Sequence, residues 1–308
     1  MLGTKQSTGA APASGQEQKP LCQTHKHDII ETMIRGLRLN RRKPISDYHM
    51  HTPLCGHASG QPEEYANHAL KIGLKEIGFS DHAPFVVKPL PGITMRMNEL
   101  PLYHKMIEDV RTRFKGRLEI RTGIEADFIP GYEKQTKAIL DAYPYDYVIG
   151  SVHFIKDWGF DNPEEREKWS EHDVNTVYRD YFELLRASAR TDFFNIIAHP
   201  DLVKKFGHRP AQDITKDIEQ TAKVFKETGV AIEINTSGRR KTVGEMYPVL
   251  KDLTIYCGAG VPLTFGSDAH KPEEVGCDFD KAVDLAKKAG YKEYVMFKER
   301  KIYRRVSL

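Results

Sequence analysis

Thiols are scarce in this sequence. Among 308 residues only Cys22, Cys55, Cys257 and Cys277 occur, and no two of them have C-x-x-C spacing. That excludes a zinc knuckle and a dithiol redox motif. A chain of this length does not need disulfides, so free thiols in a reducing cytoplasm are expected. Long apolar runs are missing as well: nothing approaches the roughly 18 residues of a membrane span. No apolar h-region follows the first residues, so no secretory leader is expected. The G-x-G-x-x-G fingerprint, the P-loop and G-x-S-x-G are all absent, which leaves dinucleotide-binding, NTPase and α/β-hydrolase readings without support.

The body of the chain also lacks excess charge. The formal net charge is +3. Residues 1–43 hold eight basic and three acidic residues, a net of +5, so the remainder, with 38 basic and 40 acidic residues, carries −2. A nucleic-acid partner is therefore not expected. Residues 1–20 are rich in Ala, Gly, Ser, Thr and Gln and read as disordered. Residues 27–40 can form a short basic helix with Ile29, Ile30, Met33, Ile34 and Leu37 on one side. The sequence thus divides into a basic tail, 1–43, and one large domain, 44–308.

What is present is a globular composition, with 40% hydrophobic and 29% charged residues, and a rhythm. Short hydrophobic runs fall at about 45–50, 76–80, 118–126, 146–152, 193–199, 230–235 and 261–267. Amphipathic segments at about 61–73, 98–115, 133–141, 175–190, 213–228, 243–257 and 280–289 separate them. Strand alternating with helix predicts an α/β fold with a parallel sheet, and seven such units favour a closed or nearly closed barrel.

Ligand-type side chains cluster at the ends of those runs. His49, His51, Asp81, His82, Glu125, His153, His199 and Asp268 fall at or just past the carboxyl end of a predicted strand; His57 and His270 follow closely. In β/α barrels that end builds the active site. His49 and His51 are two apart on one strand and point to one face. Imidazole and carboxylate are the ligands that zinc, manganese and iron use when thiolate is absent. Any one of these histidines alone is more often a hydrogen-bonded core residue. Glu125 lies inside an apolar run, where burial without a partner is costly; a carboxylate between two cations removes that cost. Asp81 can orient a metal-bound imidazole or cap the next segment. The sixth run, Val230–Asn235, carries no histidine and is expected to line the pocket in another way. Arg96, and Arg239 and Arg240 after the sixth run, lie in loops expected to face the cavity, where a guanidinium matches phosphate oxygens.

Taken together, Asp47–His57, Ser80-Asp81-His82, Gly123-Ile124-Glu125-Ala126-Asp127, Gly150-Ser151-Val152-His153, Ala198-His199-Pro200-Asp201 and Gly266-Ser267-Asp268-Ala269-His270 resemble the PHP (polymerase and histidinol phosphatase) superfamily. Met95-Arg96-Met97, the run from His199 to Gly207, and Ile234–Gly238 leading into Arg240 resemble its histidinol-phosphatase branch. The resemblance implies a distorted seven-stranded β/α barrel of TIM type with three divalent ions (zinc, manganese or iron). One ion would take His49, His51, Glu125 and Asp268; a second would share Glu125 and take His153 and His199; a third would take His57, His82 and His270. It further implies a phosphate ester as substrate, L-histidinol phosphate first, and a place in histidine biosynthesis. Asp81 and His270 are the candidates for protonating the leaving group. Two alternatives stay open: a phosphoesterase acting on nucleotides or nucleic-acid ends, and a non-catalytic metal-binding protein on the same scaffold.

Overall fold

The computed structural model describes residues 45–308. The basic tail and the helix expected over 27–40 lie outside the described residues, as does Cys22. The remaining three cysteines are free thiols.

Five parallel strands form the main sheet in the order β3-β4-β7-β8-β9: β3 Glu125–Asp127, β4 Ile149–Ser151, β7 Ile196–Ile197, β8 Ala231–Asn235 and β9 Leu263–Gly266. A parallel pair, β1 Glu76–Phe79 with β2 Glu119–Thr122, lies alongside in sequence. Among the described residues seven α-helices alternate with the strands: α1 Pro62–Lys71, α2 Leu100–Phe114, α3 Glu133–Asp141, α4 Val174–Ala189, α5 Thr215–Thr228, α6 Leu250–Ala259 and α7 Phe279–Ala289. The alternation read from the sequence is therefore an α/β fold with a parallel sheet.

Residues 45–51 differ from the expected regular strand. They form isolated bridges, Asp47 with Ile77 and Met50 with Ala269. Their backbone nonetheless bonds both neighbours. Gly78 N–H donates to Asp47 O (2.8 Å) and Ser80 N–H to Met50 O (2.9 Å); on the other side Tyr48 N–H donates to Phe265 O (3.2 Å) and His51 N–H to Ala269 O (2.9 Å). The segment is wedged between β1 and β9, and His49 and His51 on it are completely buried.

The run 118–126, expected as one strand, divides into β2 and β3 at Gly123. The Tyr147 ring crosses here, and a Cβ on Gly123 would lie 2.4 Å from it. Tyr103 OH holds the break by donating to Gly123 O (2.7 Å). The division lets β2 pair with β1 while β3 pairs with β4, and it turns Glu125 inward. The helix expected over 243–257 begins only at Leu250. Residues 241–249 instead fold back, with Asn235 and Tyr247 exchanging backbone bonds of 2.7 and 2.9 Å. Buried Lys204 donates to Met246 O (2.7 Å) and fixes this loop.

Three elements have no counterpart in the sequence reading. A small hairpin, β5 Phe154–Ile155 with β6 Trp158–Gly159, and a 3-10 segment, Pro163–Glu171, follow β4. An antiparallel hairpin, β10 Glu293–Lys298 with β11 Lys301–Ser307, ends the chain. Tyr303 OH donates to Glu76 at 2.6 Å, and Arg121 bonds the same carboxylate at 3.0 and 3.1 Å, so the last hairpin is anchored at the start of β1, away from the strand ends that carry histidines.

Candidate metal centre

Each ligand-type residue stands where the chain leaves a strand, and the strands converge. His82 follows β1 and its backbone bridges to Glu125. His153 follows β4, His199 follows β7, and Asp268 and His270 follow β9. His49, His51, Glu125 and His199 are buried to within 2% of complete. His82, His153, Asp268 and His270 are half-buried, and His57 is exposed at the mouth.

Glu125 is the hub. Its Oε2 lies 2.9 Å from His82 Nδ1, 3.3 Å from His49 Nε2 and 3.7 Å from His51 Nε2. Its Oε1 lies 3.3 Å from His199 Nε2 and 3.8 Å from His153 Nε2. Asp268 Oδ1 lies 3.1 Å from His51 Nε2 and 3.9 Å from His49 Nε2. At the mouth His57 Nε2 and His270 Nε2 are 2.9 Å apart. Donors about 2.0–2.2 Å from one ion stand roughly 3 Å apart along the edges of its coordination shell, so these spacings suit shared cations. Three groups whose ligand atoms lie within 4.8 Å of one another are His49, His51 and Asp268; Glu125, His153 and His199; and His57, His82 and His270. His51 also groups with His82 and Glu125, and with Cys55 and His270, which the sequence reading did not anticipate.

The protein atoms alone leave this cluster unsatisfied. His49 Nε2 and Glu125 Oε2 are fully buried and stand 3.3 Å apart, yet neither makes a hydrogen bond of good geometry. Buried polar atoms are seldom left so, and a cation between them resolves both. Burial opposes the charge on Glu125, yet the His49 and His82 charges and the His199 hydrogen bond hold its carboxyl well below the usual range. Burial likewise opposes the Asp268 charge, but His49 and His51 hold its carboxyl far down. His57 and His270 are pushed down by desolvation and by neighbouring imidazoles, His57 to about 4.

Behind the ring nitrogens lies a second layer of acids. Asp81 Oδ1 is 3.2 Å from His51 Nδ1 and accepts the His82 N–H at 2.9 Å, while Thr52 donates to its other oxygen. Asp127 Oδ1 is 2.9 Å from His153 Nδ1. Glu233 on β8 places both oxygens 3.0 Å from His49 Nδ1. Asn235 and Ser237 donate to Asp268 Oδ2 at 3.3 and 2.9 Å. Asp127, Glu233 and Ser237 were not singled out as site residues from sequence. A signal existed: Asp127 and Glu233 are acids in or beside apolar strands, two residues from an inward-facing neighbour. Two non-glycine residues here have left-handed backbone, His199 (φ 24°) and Asp268 (φ 52°), an uncommon conformation that collects at functional sites.

The two arginines part company. Arg96 is exposed on its loop, its backbone N–H donating to Glu99 (2.7 Å). Arg240 reaches inward: Nη2 donates to Ser267 O (2.7 Å) and Asp268 O (3.3 Å), Nε approaches Glu274 Oε1 (3.5 Å), and Nη1 is buried without a partner. Arg239 turns the other way to pair with Asp278 (3.0 Å). Among the described residues no helix is long and apolar enough to cross a membrane.

Residues 47–237 match the family model of the PHP domain. The chain is 42% identical to the probable histidinol-phosphatase of Deinococcus radiodurans over 84% of its own length and 98% of the relative's. It is 31% identical to the histidinol-phosphatase of Bacillus subtilis, covering 76% of this chain and 96% of that one. The crystal structure of histidinol phosphate phosphatase from Lactococcus lactis, complexed with zinc, L-histidinol and phosphate, has the same fold, with a TM-score of 0.74 at 24% identity over 84% of this chain and 99% of that one. The chain belongs to the PHP superfamily, in its histidinol-phosphatase branch.

Proposed function

We propose that the protein hydrolyses L-histidinol phosphate to L-histidinol and phosphate, using divalent ions held by His49, His51, His57, His82, Glu125, His153, His199, Asp268 and His270. The observation that carries this reading is the convergence of five imidazoles, His49, His51, His82, His153 and His199, on the buried carboxylate of Glu125, with Asp268, His57 and His270 grouped beside them. Relatives at 42% and 31% identity are named histidinol-phosphatases, which supports the substrate. Up to three ions fit: one among His49, His51 and Asp268, one among Glu125, His153 and His199, and one among His57, His82 and His270. Zinc, manganese and iron all accept this ligand set.

Bound ions supply Lewis acidity, lowering the pKa of water toward neutrality and offsetting charge on phosphoryl oxygens. The chain's own groups do the rest. Glu125 would offer one oxygen on the side of His49, His51 and His82 and the other on the side of His153 and His199. Asp81 and Asp127 fix His51 and His153 through the ring nitrogens that face away from the centre. Both Asp81 oxygens are engaged and the residue is fully buried, which suits a positioning group better than a proton donor. His270 stays at the mouth, where its low proton affinity suits a ligand. Arg240 clasps the Ser267–Asp268 backbone and leaves Nη1 for a phosphoryl oxygen.

Backbone bonds from residues 47–51 to both β1 and β9 support a distorted seven-stranded barrel that closes through this segment. Residues 1–43 we keep as a separate basic tail, and the three free thiols suit a cytoplasmic enzyme. Phosphate release from histidinol phosphate, a 3′-phosphorylated nucleotide and an aryl phosphate tests the reading. Histidinol phosphate should be the best substrate by kcat/KM. Faster release from the nucleotide would move the assignment to a nucleotide phosphoesterase, and no release from metal-loaded protein would make it a binding protein.

A further inference from the structure

Glu233 is an acid of the second layer that touches several ligand-bearing segments at once. It is buried to 1% on β8. Both oxygens stand 3.0 Å from His49 Nδ1. Oε1 also accepts the backbone N–H of His199 (2.9 Å) and the amide of Asn235 (2.8 Å). Asn235 in turn reaches Asp268 Oδ2 at 3.3 Å. One carboxylate therefore ties the first segment, the turn after β7 and the β8–β9 face. The His199 turn it holds has a left-handed backbone, φ 24°, which needs outside support.

The neighbouring strand leaves room for it. A Cβ on Gly266 of β9 would lie 2.2 Å from Glu233 Oε2 and 2.6 Å from His49 Cβ. Glycine at 266 is what allows the carboxylate to lie against the imidazole.

We propose that Glu233 is a positioning residue for the metal centre: it fixes the proton on His49 Nδ1, so that Nε2 is the free donor aimed at Glu125 and Asp268, and with the same oxygen it sets the His199 turn. This rests on the metal-dependent reading above. Glu233 acts through His49 and not on the ion, because its oxygens face the nitrogen on the far side of the ring from Glu125.

The donor count says why a carboxylate is required. Three donors converge on Glu233: His49 Nδ1–H, His199 N–H and Asn235 Nδ2–H. A carboxylate accepts all of them. Glutamine has the same shape but must turn an NH2 toward at least one of these donors. Facing His49, that NH2 favours the other tautomer, with the proton on Nε2, where it blocks ligation. The charge that strengthens the bond to the imidazole is lost as well.

The test uses the full chain and zinc. Zinc is titrated against a chromophoric chelator into the parent, Glu233→Gln, Glu233→Asp and Gly266→Ala, with circular dichroism to confirm the fold. Glu233→Gln should remain folded and bind the tightest zinc roughly tenfold to a hundredfold more weakly, the range for losing such a partner. Glu233→Asp keeps the charge with a shorter reach and should recover part of that. Gly266→Ala crowds both the carboxylate and the His49 side chain and should weaken zinc in the same direction; if Glu233→Gln does not fold, Glu233→Asp serves in its place. Nitrogen-15 histidine spectra of the zinc-loaded parent should show His49 with its proton on Nδ1, assigned by its absence in His49→Gln; in Glu233→Gln that signal should move or vanish. A folded Glu233→Gln with parental zinc affinity and an unchanged His49 signal would overturn the inference, as would a Gly266→Ala protein that binds zinc like the parent. A parent that takes up no zinc would remove the metal reading itself, and this inference with it.

Discussion

The inner and outer parts of the centre are built from the same residue types in opposite ways. Inside, His49, His51 and His153 each present one nitrogen to the centre and rest the other on a buried or half-buried carboxylate, Glu233, Asp81 and Asp127 in turn. At the mouth, His57 and His270 rest on main-chain carbonyls, those of Cys55 (3.3 Å) and Asp268 (3.1 Å). The inner groups are rich in negative charge and more deeply buried. The outer group is three imidazoles, open on one side. A cation gains more from the inner arrangement, because anionic ligands in a low-dielectric setting attract it strongly and carboxylate-backed imidazoles are more basic donors. The contrast implies tight inner binding and an exchangeable outer ion.

The sharpest way to break that comparison is to remove a ligand from each part. Glu125→Gln keeps the shape but deletes the charge that faces five imidazoles. We expect metal lost from the inner groups and kcat reduced by on the order of a hundredfold or more, the scale of metal catalysis. His57→Gln should lose at most one ion per chain, the weakest, and cost less activity. Elemental analysis and kinetics on the two variants decide it. Glu125→Gln within a few-fold of the parent, or a larger loss from His57→Gln, would reverse the ranking.

Arg240 tests the seam between the two parts, because the loop it clasps carries both Asp268 and His270. Arg240→Ala should cut kcat/KM by roughly 10- to 1000-fold, the span for losing a charge-assisted hydrogen bond in a site. The geometry, with Nη2 on two backbone carbonyls, leads us to expect reduced metal content alongside. Unchanged metal with a raised KM would instead make Arg240 chiefly a phosphate ligand. Arg240→Lys should recover only part, since one ammonium cannot hold both carbonyls in a fork. Arg239→Ala, which removes one of two cations paired with Asp278, should change little.

How much of this was legible beforehand follows the same inner-to-outer order. The histidines and acids that end hydrophobic runs could be read directly, because strand-end placement and side-chain alternation are local properties. The sequence allows Asp81 either to orient an imidazole or to cap the next segment; the ring it meets is that of His51, thirty residues back, a pairing that no local pattern encodes. Glu233 was noticed only as part of a strand lacking histidine; its role depends on a register between β8, β9 and the first segment that no local pattern encodes. Arg240 looked like a free phosphate ligand because a sequence cannot say which backbone carbonyls will be near. The break at Gly123 and the late start of α6 were missed for one reason: each is imposed by a distant side chain, Tyr147 in one case and Lys204 in the other. The last hairpin has no counterpart in the sequence pattern because it bears no histidine and lies beyond the last amphipathic segment.

The smallest expected effect concerns pH in the protein stripped of metal, where the two parts should fail on opposite sides of neutrality. Inside, burial disfavours the charged imidazole, but Asp268 and Asp81 lift His51 to about 9, and Asp127 and Asp161 lift His153 to about 10. Both values lie above the ordinary 6.5, so the folded chain keeps protons that the unfolded chain releases. Their contribution is complete below about 6.5 and is lost as pH rises through 9 to 10. At the mouth the sign reverses. Desolvation and the nearby charges of His82 and His51 bring His57 down to about 4, so between 6.5 and 4 the unfolded chain takes up a proton that the folded chain refuses. That stability is present above about 6.5 and is lost as pH falls toward 4. Thermal melts of chelator-treated protein should therefore peak near pH 6.5 and decline on both flanks. Other groups also titrate across this range, so the decisive comparison is with His57→Gln, which should flatten the acid limb and leave the alkaline limb intact. Adding zinc should raise the alkaline limb, because ligands must shed their protons to bind and high pH helps them. An alkaline limb that flattens in His57→Gln, or one that zinc leaves unmoved, would mean that the inner and outer imidazoles do not differ in the way their partners imply.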